Sequence, residues 1–241
     1  MYNFNEIANN ICKIGRNIWN RQFCAGNEGN ISVRLNQNDV ACTPTGISKG
    51  FLTEEMIGIV SYQTGLQTFG SYKMTSEVKI HLAIYEKCPD VNAIIHAHPP
   101  HASAFALAGI NLPEAIHPEA EVFLGRVQFA KYATPSKMEL AETLIPLLTP
   151  ATNTIIMQNH GVVCFSNSLE DAYYKLEILD AYCKMLLLTK TIGGPKVLDE
   201  TQFKELLEVK KNFGVKDNRT VAECQAAEIE KRNQAFFEAI K

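Results

Sequence analysis

The 241-residue chain has no apolar run near the roughly 20 residues that cross a bilayer, and its N-terminus lacks the charged-then-apolar layout of a signal peptide. Membrane anchoring and export are not expected, and the chain reads as cytoplasmic. An excess of one charge is missing too: 23 Lys and Arg stand against 26 Asp and Glu, a net charge of -3. That balance gives no general attraction to nucleic acid or to an anionic membrane, so any anion site has to be local. No C-x-x-C pair occurs among the seven cysteines, and the number is odd, which argues against a disulfide framework or a cysteine metal site. Cys12, Cys24, Cys42, Cys88, Cys164, Cys183 and Cys224 read as reduced thiols, most of them small core fillers as in "GVVCFS". Internal repeats and low-complexity tracts are absent, and no linker precedes residue 192.

What is present is ordinary globular composition, 46% hydrophobic and 20% charged, in a chain long enough to bury one large α/β core. Ile7, Ile11, Ile14 and Ile18 recur at helical spacing and predict a first helix from Phe4 to about Gln22, broken by the glycines of "CAGNEGN". "NISVRL" and "DVACT" predict one hairpin, "MIGIVSY" and "QTGLQTF" a second, so the N-terminal third reads as antiparallel sheet packed on that helix. "SEVKIHLAIYEK" turns helical, with Thr75 or Ser76 as N-cap and Glu77 in the first turn. A helix from His101 to Leu107, a strand in "LGRVQFAKYA" and a helix opened by a Ser136/Glu139 capping box are expected next. "NTIIMQNHGVVCFS" reads as two strands around Asn159-His160-Gly161, followed by a helix from Leu169 to about Thr191 capped by Ser168. Gly193-Gly194-Pro195 ends it, and the charged tail from residue 199 is helical in pattern.

"NAIIHAHPPH" concentrates chemistry at the end of an apolar strand. Residues i and i+2 of a strand face one side, so His96 and His98 can present both imidazoles to one point while Ala97 faces away. His160 also ends an apolar run, and Gly161 beside it would let the backbone turn tightly. Three imidazoles suit Zn²⁺ and keep a coordination position open, yet on spacing alone the rings can equally be satisfied by backbone carbonyls. Glu77 reads either as a general base beside an anion site or as an ordinary N-terminal helix acid. "GNEGN" and "TPTG" could point amides and hydroxyls at a phosphate, or be plain turns. His81 reads as a packed helix residue, and His101 as bordering the pocket.

In order and spacing, "GNEGNISVR", "TPTGISKG", "TSEVKIHLAIYEKCPDVNAIIHAHPPHASAFA" and "MQNHGVVCFSNSLEDAYYKLE" resemble the class II aldolase/adducin family over about residues 5 to 195. The resemblance implies a three-layer α/β/α fold around a mostly antiparallel sheet in residues 1–195, with residues 196–241 as a helical extension. It implies a homotetramer with active sites at subunit interfaces. His96, His98 and His160 would hold one Zn²⁺ per chain, and Glu77 would be the catalytic acid/base. Gly29 with Asn30, Thr45 with Gly46, and Thr75 with Ser76 would cradle the phosphate of a small sugar phosphate. The implied activity is a lyase that cleaves or forms a C–C bond of a ketose phosphate through a metal-stabilised enediolate. A decarboxylase of a sugar-acid phosphate, a dehydratase of a thio-sugar phosphate, or a non-catalytic interaction module of the adducin type are the alternatives.

Two departures from the family pattern stand out. Where a tyrosine is expected after "IH", the stretch "AIHPEAEVF" has Pro118, leaving His117, Glu119, Glu121 and Tyr132 as substitutes. Glu28 replaces a small residue before Gly29, so its carboxylate is expected to point away from a phosphate or to meet Lys49 or Arg34. The tail is expected either to seal a subunit interface, or lie over a neighbouring site, or to fray at the surface.

Overall fold

The computed structural model describes residues 3–217 and 219–240. The helix α1 (Phe4–Asn20) starts at Asn3, whose side chain accepts from Asn5 N, and buries the predicted stripe of Ile7, Ile11, Ile14 and Ile18. Burying each such side chain contributes about 1.5–3 kcal/mol, far more than helix propensity supplies.

The strands β1 (Asn30–Arg34), β2 (Asp39–Cys42), β3 (Gly58–Ser61), β4 (Gln67–Phe69), β5 (Ala93–Ala97), β6 (Gln128–Ala130), β7 (Thr154–Met157) and β8 (Gly161–Ser166) form one sheet. Its order is β4-β3-β2-β1-β5-β8-β7-β6, and only the β6 and β7 pair is parallel. The helices are α2 (Val78–Lys87), α3 (Pro100–Ala108), α4 (Met138–Leu144), α5 (Leu169–Thr189), α6 (Glu200–Asn212) and α7 (Ala226–Ala239). Strand alternation sorts the core into two clusters on opposite faces. Ile31, Ala93, Ile95, Ala97, Val162 and Cys164 meet α1, α3 and α5, whereas Ile94, Val163 and Phe165 meet α2 and α4. This is the expected three-layer α/β/α arrangement around a mostly antiparallel sheet. Among the described residues no helix is long and apolar enough to cross a membrane. All seven cysteines are free and five are buried.

Two local expectations are corrected. The helix α2 begins at Val78, with Glu77 at its N-cap position and a turn before it, so Glu77 lies at the helix boundary and not inside the first turn. Thr75 Oγ1 still accepts from Glu77 N at 3.2 Å, which secures that turn. The Ser136/Glu139 capping box does not form: Ser136 is left-handed at φ 66°, its hydroxyl pairs with that of Ser76, and Lys137 occupies the N-cap of α4. Ser168, by contrast, caps α5 as expected.

The tail folds back on its own chain, which neither expectation for it foresaw. Leu198 N donates to Ala115 O, and Asn233 takes Glu114 N and gives to Glu114 O. Phe203 and Ile229 pack on Ala115, while Phe236 enters the main core. Arg219, its side chain fully buried, donates to Asp217, Glu114 and Glu121.

Candidate metal centre and acid–base carboxylate

Alternation along β5 sends Ala97 into the α1 side of the core and turns His96 toward α2, with His98 just past the strand end. His160 reaches the same place from the β7–β8 turn. Its ligand atom and those of His96 and His98 all lie within 4.8 Å of one another. The tight turn belongs to Asn159, which takes φ 55°, and not to Gly161 as its sequence position suggested. Gly161 instead makes room for the His98 ring, since a Cβ there would fall 2.2 Å from His98 Cδ2 and 2.7 Å from Ala97 O. Only glycine lets the His98 ring lie over the start of β8.

Glu77 brings its carboxylate to the same point. One oxygen stands 3.3 Å from His96 Nε2, the other 3.4 Å from His160 Nε2, and His98 Nε2 is 3.1 Å from His96 Nε2. His96 Nδ1 donates to Val162 O at 2.9 Å, so its Nε2 is an unprotonated acceptor. Burial holds His96 well below its ordinary value, with the neighbouring His98 and His160 adding to the effect. Burial also brings His160 down to about 4. The His96 lone pair and the Glu77 carboxylate thus face each other, an arrangement that repels unless a proton or a cation stands between them. Glu77 Oε1 is buried without a hydrogen-bond partner among the described residues, as is His160 Nδ1. Ligands about 2.1 Å from a tetrahedral ion sit about 3.4 Å from one another, which these separations approach. The donor set therefore fits a divalent metal.

A buried network positions Glu77. Asn30 Nδ2 donates to Glu77 Oε2 at 2.9 Å, which turns Asn30 Oδ1 toward His81 Nε2 at 2.5 Å. His81 Nε2 must then carry the proton, and its Nδ1 accepts from Ser32 Oγ at 2.6 Å. Tyr85 OH, 2.8 Å from Ser32 Oγ, donates in turn. Every bond from Tyr85 through Ser32, His81 and Asn30 points toward the carboxylate. Burial raises Glu77 above the usual carboxylate range, opposed by the Asn30 hydrogen bond and by His98. Burial also lowers His81 to about 3, so that ring is neutral. Spacing on the sequence could have exposed this network: Glu77, His81 and Tyr85 recur every four residues from the N-cap of α2 onward, and Asn30 and Ser32 alternate on β1.

The three segments expected to cradle phosphate adjoin one another. Thr43 N donates to Ile31 O, Thr75 N to Thr43 O, and Thr45 N to Lys73 O, which lines residues 29–30, 45–46 and 75–76 along one rim. Gly29 is left-handed at φ 73°, and a Cβ there would strike Cys24 Sγ and His96 O. Thr45 and Gly46 are exposed. The Asn30 side chain is committed to Glu77 and His81.

The substitutes for the missing tyrosine scatter. Glu121 is buried against Arg219, His117 stacks on Tyr182 and meets Glu119 at 3.2 Å, and Tyr132 is exposed. His101 ties α3 to α5 through Asp180. Glu28 meets neither expected cation. Lys49 is buried with its ammonium on Ile47 O and Asn27 O, and Arg34 lies over the Tyr85 ring. Instead Glu28 Oε2 is 3.1 Å from His98 Nδ1.

The family model described as "Class II Aldolase and Adducin N-terminal domain" matches residues 9–187. The chain is 37% identical over 177 residues to the L-fuculose phosphate aldolase of Methanocaldococcus jannaschii, covering 73% of this chain and 93% of that one. It is 32% identical over 200 residues to the 3-oxo-tetronate 4-phosphate decarboxylase of Haemophilus influenzae, covering 80% and 92%. A solved L-fuculose 1-phosphate aldolase superposes with a TM-score of 0.78 at 27% identity, over 87% of this chain and 96% of that chain.

Proposed function

Because the chain belongs to the class II aldolase and adducin N-terminal domain family, we propose that it is a zinc-dependent lyase cleaving or forming a C–C bond of a small ketose phosphate. The observation that carries the reading is the meeting of three imidazoles and a buried carboxylate at one point. His96, His98 and His160 hold the ion, and residues 1–195 form the catalytic unit, with 196–241 as an extension. A divalent cation held there supplies a Lewis acid that polarises a substrate carbonyl.

The remaining steps belong to the chain. Gly29, Asn30, Thr45, Gly46, Thr75 and Ser76 seat the phosphate at the rim and so fix how far the sugar carbons reach toward the imidazoles. As the C–C bond breaks, the hydroxyl that becomes the aldehyde oxygen gives up a proton and Glu77 delivers one to the carbon left electron-rich; in the synthetic direction Glu77 removes the carbon's proton and the new hydroxyl gains one. Burial raises Glu77 and brings its affinity for a proton closer to neutral pH, while Asn30 and His81 hold it in place. Seven free cysteines support a reducing cytoplasmic setting, and a homotetramer is part of the same reading.

Metal analysis of the purified protein, with an assay for dihydroxyacetone phosphate release from a panel of ketose 1-phosphates, tests this. One zinc per chain with release is expected. No metal under any loading condition would refute the reading. A second reading, decarboxylation of a 3-oxo sugar-acid phosphate on the same site, is favoured by the similarity to the H. influenzae decarboxylase. Zinc with CO₂ release in place of dihydroxyacetone phosphate would select it.

A further inference from the structure

We propose that Glu28 is a positioning residue for the metal centre, accepting the Nδ1 proton of His98 and so directing that ring's Nε2 lone pair toward His96 and His160. The inference rests on the metal reading above. Glu28 Oε2 lies 3.1 Å from His98 Nδ1, while His98 Nε2 lies 3.1 Å from His96 Nε2, so one ring nitrogen meets the carboxylate and the other faces the ligand cluster.

The loop that carries Glu28 is built to hold this pose. Glu28 N donates to Ala25 O at 3.1 Å, and Ala25 N returns a bond to the same Glu28 oxygen at 3.0 Å, closing residues 25–28 into a turn. His98 N donates to Phe23 O at 2.8 Å, so the loop grips the backbone as well as the ring of His98. Gly29, left-handed, seats the loop against the His96 carbonyl, where any Cβ would lie 2.8 Å from that oxygen. The carboxylate expected to point away from a phosphate or to meet Lys49 or Arg34 instead lies against the His98 imidazole.

The three rings are supported unequally. His96 gives its Nδ1 proton to the neutral carbonyl of Val162, and His160 Nδ1 has no hydrogen-bond partner among the described residues. His98 alone of the three has a carboxylate on its Nδ1. An outer carboxylate fixes the tautomer of a ligating histidine and raises its basicity, and losing such a partner typically costs 10- to 100-fold in metal affinity. His98 is also the ring that a one-atom change at Gly161 would displace, so it is the ligand in most need of an orienting contact.

The test is chelator-competition titration with zinc on the full chain and on Glu28→Ala and Glu28→Gln. Glu28→Ala is expected to weaken zinc about 10- to 100-fold. Glu28→Gln, which keeps a neutral acceptor for both Ala25 N and His98 Nδ1, is expected to fall in between. In the zinc-loaded wild type and Glu28→Gln, the His98 Nδ1 proton should give a slowly exchanging NMR signal that Glu28→Ala loses. A carboxylate that only closed the 25–28 turn would leave that signal unchanged. Glu28→Ala with zinc affinity within about twofold of wild type, or with the His98 signal retained, overturns the proposal. Failure of the wild type itself to bind zinc would overturn the metal reading and this inference together, so the two failures are told apart.

Discussion

Gly161→Ala is expected to separate metal binding from folding. The added methyl would stand 2.2 Å from His98 Cδ2 and 3.0 Å from His98 Nε2. Carbon atoms settle at about 3.5–4.0 Å, so the ring must retreat by more than about 1 Å, whereas ligand distances in a metal site hold to about 0.2 Å. The variant should therefore lose one imidazole. Structural zinc sites are worth about 10–16 kcal/mol for four ligands, or about 3 kcal/mol each, which corresponds to about 100-fold in affinity. The methyl also meets the Ala97 carbonyl at 2.7 Å, so the β5–β8 pair has to yield, at the about 1–3 kcal/mol typical of overpacking. For a chain of this size that is a fall of several degrees in Tm. Zinc competition gives the first quantity and thermal melts of the metal-free protein the second. Zinc affinity within about threefold of wild type would refute the placement of the His98 ring.

Three further outcomes are expected. Glu77→Gln should retain zinc yet lose about 10²- to 10⁴-fold in turnover, the range of general acid–base catalysis, and near-wild-type turnover on the true substrate would remove Glu77 from that role. Metal-free protein should lose stability as pH falls from about 6.5 toward 4. Burial holds His96 low and lowers His81 and His160 to about 3 and about 4, so in that window the unfolded chain takes up protons that the folded chain refuses. Glu77 and Glu121, raised by burial, oppose this, and a melting temperature that is flat or rising toward pH 4 would show that they outweigh the three histidines. Arg219→Ala should cost about 3–5 kcal/mol in denaturant unfolding, because it strands Glu121 in the interior without its cation, while Glu114 keeps Arg126 at 2.6 Å. A loss below about 1 kcal/mol would mean the tail contributes little to the fold.

Local order was legible in the sequence because it rests on neighbours. The isoleucine stripe of α1, the two hairpins, the Ser168 cap and the shared side of His96 and His98 all follow from periods of 3.6 and 2. The Ser136 capping box failed because a tertiary contact, Ser76 to Ser136, overrode a local preference. Everything at the site that depends on separation was decided by the fold. His160 joins His96 because β8 pairs with β5, and Asn30 reaches Glu77 because β1 lies on the other side of β5, beneath α2. The Glu28 partner, the reason for Gly161 and the return of the tail onto Glu114 and Glu121 are contacts between segments whose adjacency no local pattern encodes. Periodicity states which face a residue takes, but only burial in one packed core determines what stands opposite it.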